Sequence, residues 1–221
     1  MKTTTSHIYF YQAIQSVPLE KWVETCRNFG FGKITHIDLP EEKSGLIPDR
    51  EFLNTQYGKW GWSKGTMLNL TIGQGEILVT PLQLLQFANF IATHGYTNKL
   101  HFNYGKEEEL ILSKNYSNKT WESLENFLSA AVSQPGATGK LADPHIKGLK
   151  VYGKTGTAQN PHGEPHAWFF GFGKYRDEII SIVVLIENGG HGSESSAPIA
   201  QLAFDTYFSN KYIDQFTYGN N

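Results

Sequence analysis

Cysteine is almost missing from this sequence. Cys26 is the only one in 221 residues, so no intrachain disulfide can form and no cysteine-built zinc site exists. A basic surplus is missing too: 19 Lys+Arg stand against 21 Asp+Glu, a formal charge of −2, which excludes the electropositive surface of a dedicated nucleic-acid binder. No window approaches the roughly 18 to 20 consecutive apolar residues that cross a bilayer, and Met1-Lys2-Thr3-Thr4-Thr5 carries no apolar leader, so the chain as it stands is expected to be soluble. The usual marks of an activated serine are also lacking. There is no Gly-x-Ser-x-Gly elbow, and no Ser is followed three residues later by Lys. Ser113-Lys114-Asn115 has the form Ser-x-Asn but sits in a polar stretch. No internal repeat or low-complexity tract is present.

What remains is a globular composition, 39% hydrophobic and 14% aromatic, enough for one sizeable core. The chain opens abruptly on dense, core-like text, Tyr9-Phe10-Tyr11-Gln12, as a piece cut from a longer chain would. Ile8, Phe10, Tyr11 and Ile14 predict a first helix. A second, over residues 18–28, carries Leu19, Trp22, Val23 and Cys26 at helical spacing with Pro18 in its first turn. Residues 38–75 are rich in Gly, Pro, Asn and Ser and read as long irregular connections. Thr80-Pro81 then opens a helix through Leu82, Leu85, Ala88 and Ile91, with Thr80 as N-cap and Gly95 past its end. Glu107-Glu108-Glu109 reads as a solvated face, and a further helix is expected over 121–134, stopped by Pro135-Gly136.

The last third changes period. Three β-rich runs, 149–152, 167–172 and 179–187, are separated by turn-forming segments and predict an antiparallel meander. Ile199, Leu202, Ala203 and Phe204 then place a terminal helix, 197–208, against one face of that sheet.

Gly153-Lys154-Thr155-Gly156-Thr157-Ala158 is the strongest local signal. A Lys flanked by hydroxyls and glycine on a strand offers a fixed positive charge, hydroxyl donors and an open backbone edge, which suits a carboxylate-bearing peptide laid along it. Gly148 and Gly153-Lys154-Thr155 formally match a phosphate loop. That motif needs a helix directly after Lys-Thr, however, and Gly156, Asn160, Pro161 and Gly163 do not start one. His162-Gly163-Glu164-Pro165-His166 gathers metal-ligating side chains, but the Pro-Cys-x-x-Cys partner of a zinc deaminase is missing, and an exposed hairpin turn accounts for the same residues. His191 reads as a loop residue.

In order and spacing, the chain resembles the C-terminal part of the transpeptidase domain of a class B, elongation-type penicillin-binding protein. The blocks that carry the resemblance are Tyr9-Phe10-Tyr11-Gln12, Phe29-Gly30-Phe31-Gly32, Asp38-Leu39-Pro40-Glu41, Gly45-Leu46-Ile47-Pro48 and Asn69-Leu70-Thr71-Ile72-Gly73-Gln74-Gly75. They continue with Val79-Thr80-Pro81-Leu82-Gln83, Gly139-Lys140-Leu141-Ala142, Lys154-Thr155-Gly156 within residues 153–159, His166-Ala167-Trp168-Phe169 and Glu187-Asn188-Gly189-Gly190. The resemblance implies an α+β fold, an antiparallel sheet flanked by helices of the penicillin-binding and serine β-lactamase type, with residues 1–221 as one incomplete domain.

It also implies D,D-transpeptidation. In the family, a Ser of Ser-x-x-Lys attacks a D-Ala-D-Ala stem peptide, a Ser-x-Asn triplet moves protons, and a Lys-Thr-Gly strand binds the donor. Only the third motif is intact here. The nucleophile would precede residue 1, and the second motif falls on Thr5-Ser6-His7, where Thr and His stand in for Ser and Asn. On this reading Lys154 supplies the charge, the Thr155 and Thr157 hydroxyls hold the donor carboxylate, Gly156 leaves room for the peptide, and the Thr157 N–H is half of an oxyanion hole. Trp168 and Phe170 are expected in the core. The implied partners are peptidoglycan stem peptides, β-lactams and, through the parent protein, a cell-wall polymerase and elongation-machinery membrane proteins. No cofactor and no metal are implied. The implied place is the periplasmic side of the inner membrane, with an anchoring helix upstream. Two alternatives stay open: a non-catalytic binding module of the same fold, and a β-lactamase or β-lactam sensor.

Overall fold

The computed structural model describes residues 7–217 apart from 104, 106 and 108. Two compact units divide the chain: residues 5–87 with 96–113 form one, and 88–95 with the chain from 114 onward form the other. Thr5 and Ser6 lie outside the described residues, and so does the His7 side chain, so the degenerate second motif has no structural counterpart here.

The first unit is built from short helices: α1 (His7–Ile14), α2 (Leu19–Asn28), α3 (Arg50–Tyr57), α4 (Lys64–Thr71) and the start of α5 (Pro81–Ala92). Helix α2 follows its periodicity, burying Leu19 and Val23, with Glu20 in the first turn and Arg27 in the last, the signs the helix dipole favours. Pro18 is its N-cap rather than part of its first turn. Helices α3 and α4 correct the expectation that 38–75 is irregular throughout. Each is only two turns long, too short for a clear apolar stripe, and each starts at a side-chain cap: Asp49 accepts from Phe52 N, and Ser63 accepts from Gly65 N. Ile14, Leu19, Val23, Ile47, Leu53, Met67 and Leu70 close the core.

Helix α5 opens on a reciprocal cap. The Gln83 N–H donates to Thr80 Oγ1 at 3.2 Å, while the Thr80 N–H donates to Gln83 Oε1 at 3.0 Å. The buried Gln83 amide nitrogen donates to the carbonyls of Lys33 and Ser44, both at 2.7 Å, and so pins two loops to the helix start. A short antiparallel ladder pairs β1 (Tyr96–Asn98) with β2 (Leu110–Ser113), so Ser113 stands at the end of a strand rather than in a polar loop.

In the second unit the meander is present as an antiparallel sheet of β3 (Lys150–Ala158), β4 (His166–Tyr175) and β5 (Glu178–Ile186), in that order. The register pairs Thr155 with Phe169 and Lys154 with Phe170. Pleating then separates two faces. Val151 and Phe169 are buried with Ala197, Ala200, Phe204 and Phe208 of α7 (Ser196–Thr217), together with Val132 of α6 (Asn118–Ser133) and Ala142. On the other face Tyr152 stacks on Phe172 at 4.8 Å, and the Lys174 ammonium lies over both rings.

Two apolar assignments shift by one position. Trp168 and Phe170 are half-buried on the Lys154 face, whereas Ala167 and Phe169 between them are fully buried. On α7, Ile199 and Leu202 are exposed, and Ala197, Ala200, Phe204 and Phe208 make the buried stripe. The α7 aromatics come so close to β4 that a Cβ at Gly173 would meet Phe208 at 3.0 Å.

Candidate active site

The Lys-Thr-Gly segment sits in the second half of β3, at the edge of the three-stranded sheet. The strand runs unbroken through Thr155 to Ala158 with no helix after Lys-Thr, which is the opposite of a phosphate loop. Three contacts fix its side chains. Lys154 Nζ donates to the carbonyl of Thr155 at 2.7 Å, and burial of the ammonium pushes its pKa below the usual lysine value. The buried Thr155 Oγ1 donates to Thr138 Oγ1 at 2.8 Å. The Gly192 N–H points at Thr157 Oγ1, 3.5 Å away.

Glycine opens the room for this arrangement. A Cβ at Gly153 would lie 2.4 Å from the ring of Phe169, so only glycine lets that ring fill the space beneath the strand. Gly156 lies opposite Trp168, and a Cβ there would meet the Trp168 Cβ at 3.2 Å.

The turn after β5 braces the same end of the sheet. Asn188 N donates to His166 Nδ1 at 3.0 Å, Gly190 N donates to the Pro165 carbonyl at 2.9 Å, and Asn160 Nδ2 donates to Asn188 Oδ1 at 2.7 Å. His166 is thus engaged at Nδ1 by the backbone, while His162, Glu164 and His191 are exposed. Among the described residues, no three His, Cys, Asp or Glu side chains converge.

At the far end, Glu125 of α6 accepts from Lys174 Nζ at 2.6 Å and pairs with His94 Nε2 at 2.8 Å. The His94 ring stacks on Trp121. Burial works against the carboxylate, and the two hydrogen bonds overcome it, leaving the Glu125 pKa below its ordinary value.

Sequence reasoning missed Thr138, Gly192 and Glu125. Thr138 had a faint signal, a hydroxyl residue in the turn Gly136-Ala137-Thr138-Gly139. For the other two, only the folded register reveals the role.

A family model described as the penicillin binding protein transpeptidase domain matches residues 3–205. The chain belongs to this family. The peptidoglycan D,D-transpeptidase MrdA of Haemophilus influenzae is 29% identical over 95% of this chain and 36% of its own length. Among solved structures, PBP2 of Pseudomonas aeruginosa in complex with WCK 5153 superposes with a TM-score of 0.79 at 26% identity, covering 93% of this chain and 48% of that one. The complex of PBP2 and MreC from Helicobacter pylori gives 0.78 at 29% identity, covering 91% and 38%. The chain spans about a third of the length of the curated relatives it matches. Its fold is the α+β arrangement of the family, an antiparallel sheet flanked by helices. Among the described residues, no helix is long and apolar enough to cross a membrane.

Proposed function

We propose that this chain is the donor-binding part of a serine-type peptidoglycan D,D-transpeptidase, residues 1–221 forming one partial domain. The observation that carries the reading is the state of Lys154: a half-buried ammonium held on the backbone of the edge strand, directly before Thr155-Gly156, in a member of the penicillin-binding family. A charge kept partly out of water acts more strongly on a carboxylate or an alkoxide than a solvated one. Lys154 then attracts the terminal carboxylate of a D-Ala-D-Ala stem peptide and stabilises the serine alkoxide. Thr155 and Thr157 order the carboxylate, Gly156 lets the peptide lie against β3, and the Thr157 N–H forms half of the oxyanion hole.

The serine comes from outside these residues, so the chain alone does not complete the acyl transfer. β-Lactams bind at the same strand. The reading places the parent protein on the outer side of the cytoplasmic membrane, anchored there, working with a cell-wall polymerase and elongation-machinery membrane proteins. Support for such partners comes from the structurally similar PBP2 of Helicobacter pylori, which was solved in complex with MreC.

Mass spectrometry after incubation with benzylpenicillin tests the division of labour. The chain alone gains no mass, and the full-length protein gains one adduct on a serine outside residues 1–221. An adduct on a residue of this chain would overturn the reading.

A further inference from the structure

The hydrogen bond between Thr155 and Thr138 changes which hydroxyl can serve a ligand. A threonine has one hydrogen to donate, and Thr155 gives its own to Thr138 Oγ1 at 2.8 Å. Thr155 is buried, whereas Thr138 is exposed, and among the described residues no other partner engages the Thr138 hydroxyl. Accepting a hydrogen bond polarises the Thr138 O–H and strengthens it as a donor. The turn that carries it is fixed: Ala137 N donates to the Gln134 carbonyl at 3.0 Å and Gly139 N to the Ala131 carbonyl at 2.9 Å. A Cβ at Gly139 would lie 2.8 Å from that same Ala131 oxygen, so the close approach needs glycine. Lys154 Nζ is meanwhile anchored on the Thr155 carbonyl, so charge and hydroxyl pair share one residue as their support.

We propose that Thr138 presents the hydroxyl hydrogen taken up by the donor peptide's terminal carboxylate, with Thr155 behind it as the positioning residue. This inference rests on the reading of β3 as the donor-binding strand. Thr155 then orders the carboxylate through the Thr138 hydroxyl, since its own hydrogen is already given to Thr138.

The test is an NMR titration of the full chain with N-acetyl-D-Ala-D-Ala and with its C-terminal amide, each variant checked by its melting curve. Thr138→Val is expected to weaken binding of the acid about tenfold to 150-fold, the range of one hydrogen bond to a charged group, and to leave the amide unchanged. Thr138→Ser is expected to stay within about twofold of wild type. Thr138→Val binding the acid like wild type, while Lys154→Ala loses it, overturns this inference and leaves the strand reading intact. Equal losses for acid and amide in Thr138→Val make the hydroxyl merely structural and overturn it as well. A wild-type chain that does not prefer the acid over the amide, or a Lys154→Ala variant that keeps that preference, brings down the strand reading and this inference with it.

Discussion

Gly192 lies flat against the backbone of Gly156: a Cβ built on Gly192 would stand 2.4 Å from the Gly156 carbonyl oxygen and 2.5 Å from that of Trp168. The same residue directs its N–H at Thr157, and its carbonyl accepts from Ser196 Oγ and Ala197 N at the start of α7. Gly192→Ala must push β3 and the α7 start apart. It is expected to cost about 1 to 3 kcal/mol, as overpacking of a close contact does, and to weaken binding of N-acetyl-D-Ala-D-Ala. Urea unfolding and a peptide titration check both, and a variant equal to wild type in each would remove the brace from the account.

Lys154 makes affinity and stability run in opposite directions with pH. Burial lowers its folded-state pKa below the ordinary 10.5 of the unfolded chain. Between those two values the unfolded state binds more protons, so the contribution of Lys154 to stability rises with pH. Over the same window the ammonium is lost, and affinity for the carboxylate peptide falls before pH 10.5 is reached. Peptide titrations from about pH 7 upward, with the C-terminal amide as control, check this. An affinity that stays flat up to 10.5 contradicts it.

Glu125 ties α6 to β4 through Lys174 and to His94. Its folded pKa lies below the 4.5 of the unfolded carboxyl, so its stabilisation is present above 4.5 and is lost as pH falls through the folded value. Glu125→Gln is expected to cost about 2 kcal/mol at neutral pH. The gap to wild type should close in acid. Denaturant unfolding at about pH 7 and about pH 3 measures it, and a gap independent of pH would mean packing rather than charge.

Gln83 engages four hydrogen-bonding groups of the first unit's loops and helix start: the Thr80 hydroxyl, the Thr80 N–H, and the carbonyls of Lys33 and Ser44. Gln83→Leu keeps much of the bulk and strands the Thr80 N–H and the two carbonyls. A loss of about 3 kcal/mol is expected, since each buried polar group left without a partner costs about 1 to 3 kcal/mol. A change of less than about 1 kcal/mol in denaturant unfolding would show that water replaces the amide freely.

The sequence was legible where periodicity or capping speaks locally. Helix α2 follows from Leu19, Trp22, Val23 and Cys26, helix α5 from Thr80-Pro81, and the meander from three β-rich runs. It was less legible where a contiguous apolar run hides its alternation. Ala167-Trp168-Phe169-Phe170 does not say which aromatic faces the core, and the answer comes from pairing with Thr155 and Lys154 across the ladder. Ile199 and Leu202 looked like the buried stripe of α7 by hydrophobicity, yet smaller Ala197 and Ala200 are buried beside Phe204 and Phe208. The Lys-Thr-Gly motif itself was readable. Its supports were not, because Thr138 and Gly192 lie 17 residues before and 35 residues after the threonines they meet, and only folding brings them together.

The most direct test of the central claim is the acylation rate by a β-lactam in the full-length protein carrying Lys154→Ala, with circular dichroism as the folding control. Losing one electrostatic contact in a sheltered site costs on the order of 100-fold to 1000-fold in rate. That drop is expected for Lys154→Ala, with impairment also for Lys154→Arg, whose planar fork does not take the place of a compact ammonium. Folded variants that acylate within about twofold of wild type, as a solvated surface lysine would allow, would contradict the claim and remove β3 from the mechanism.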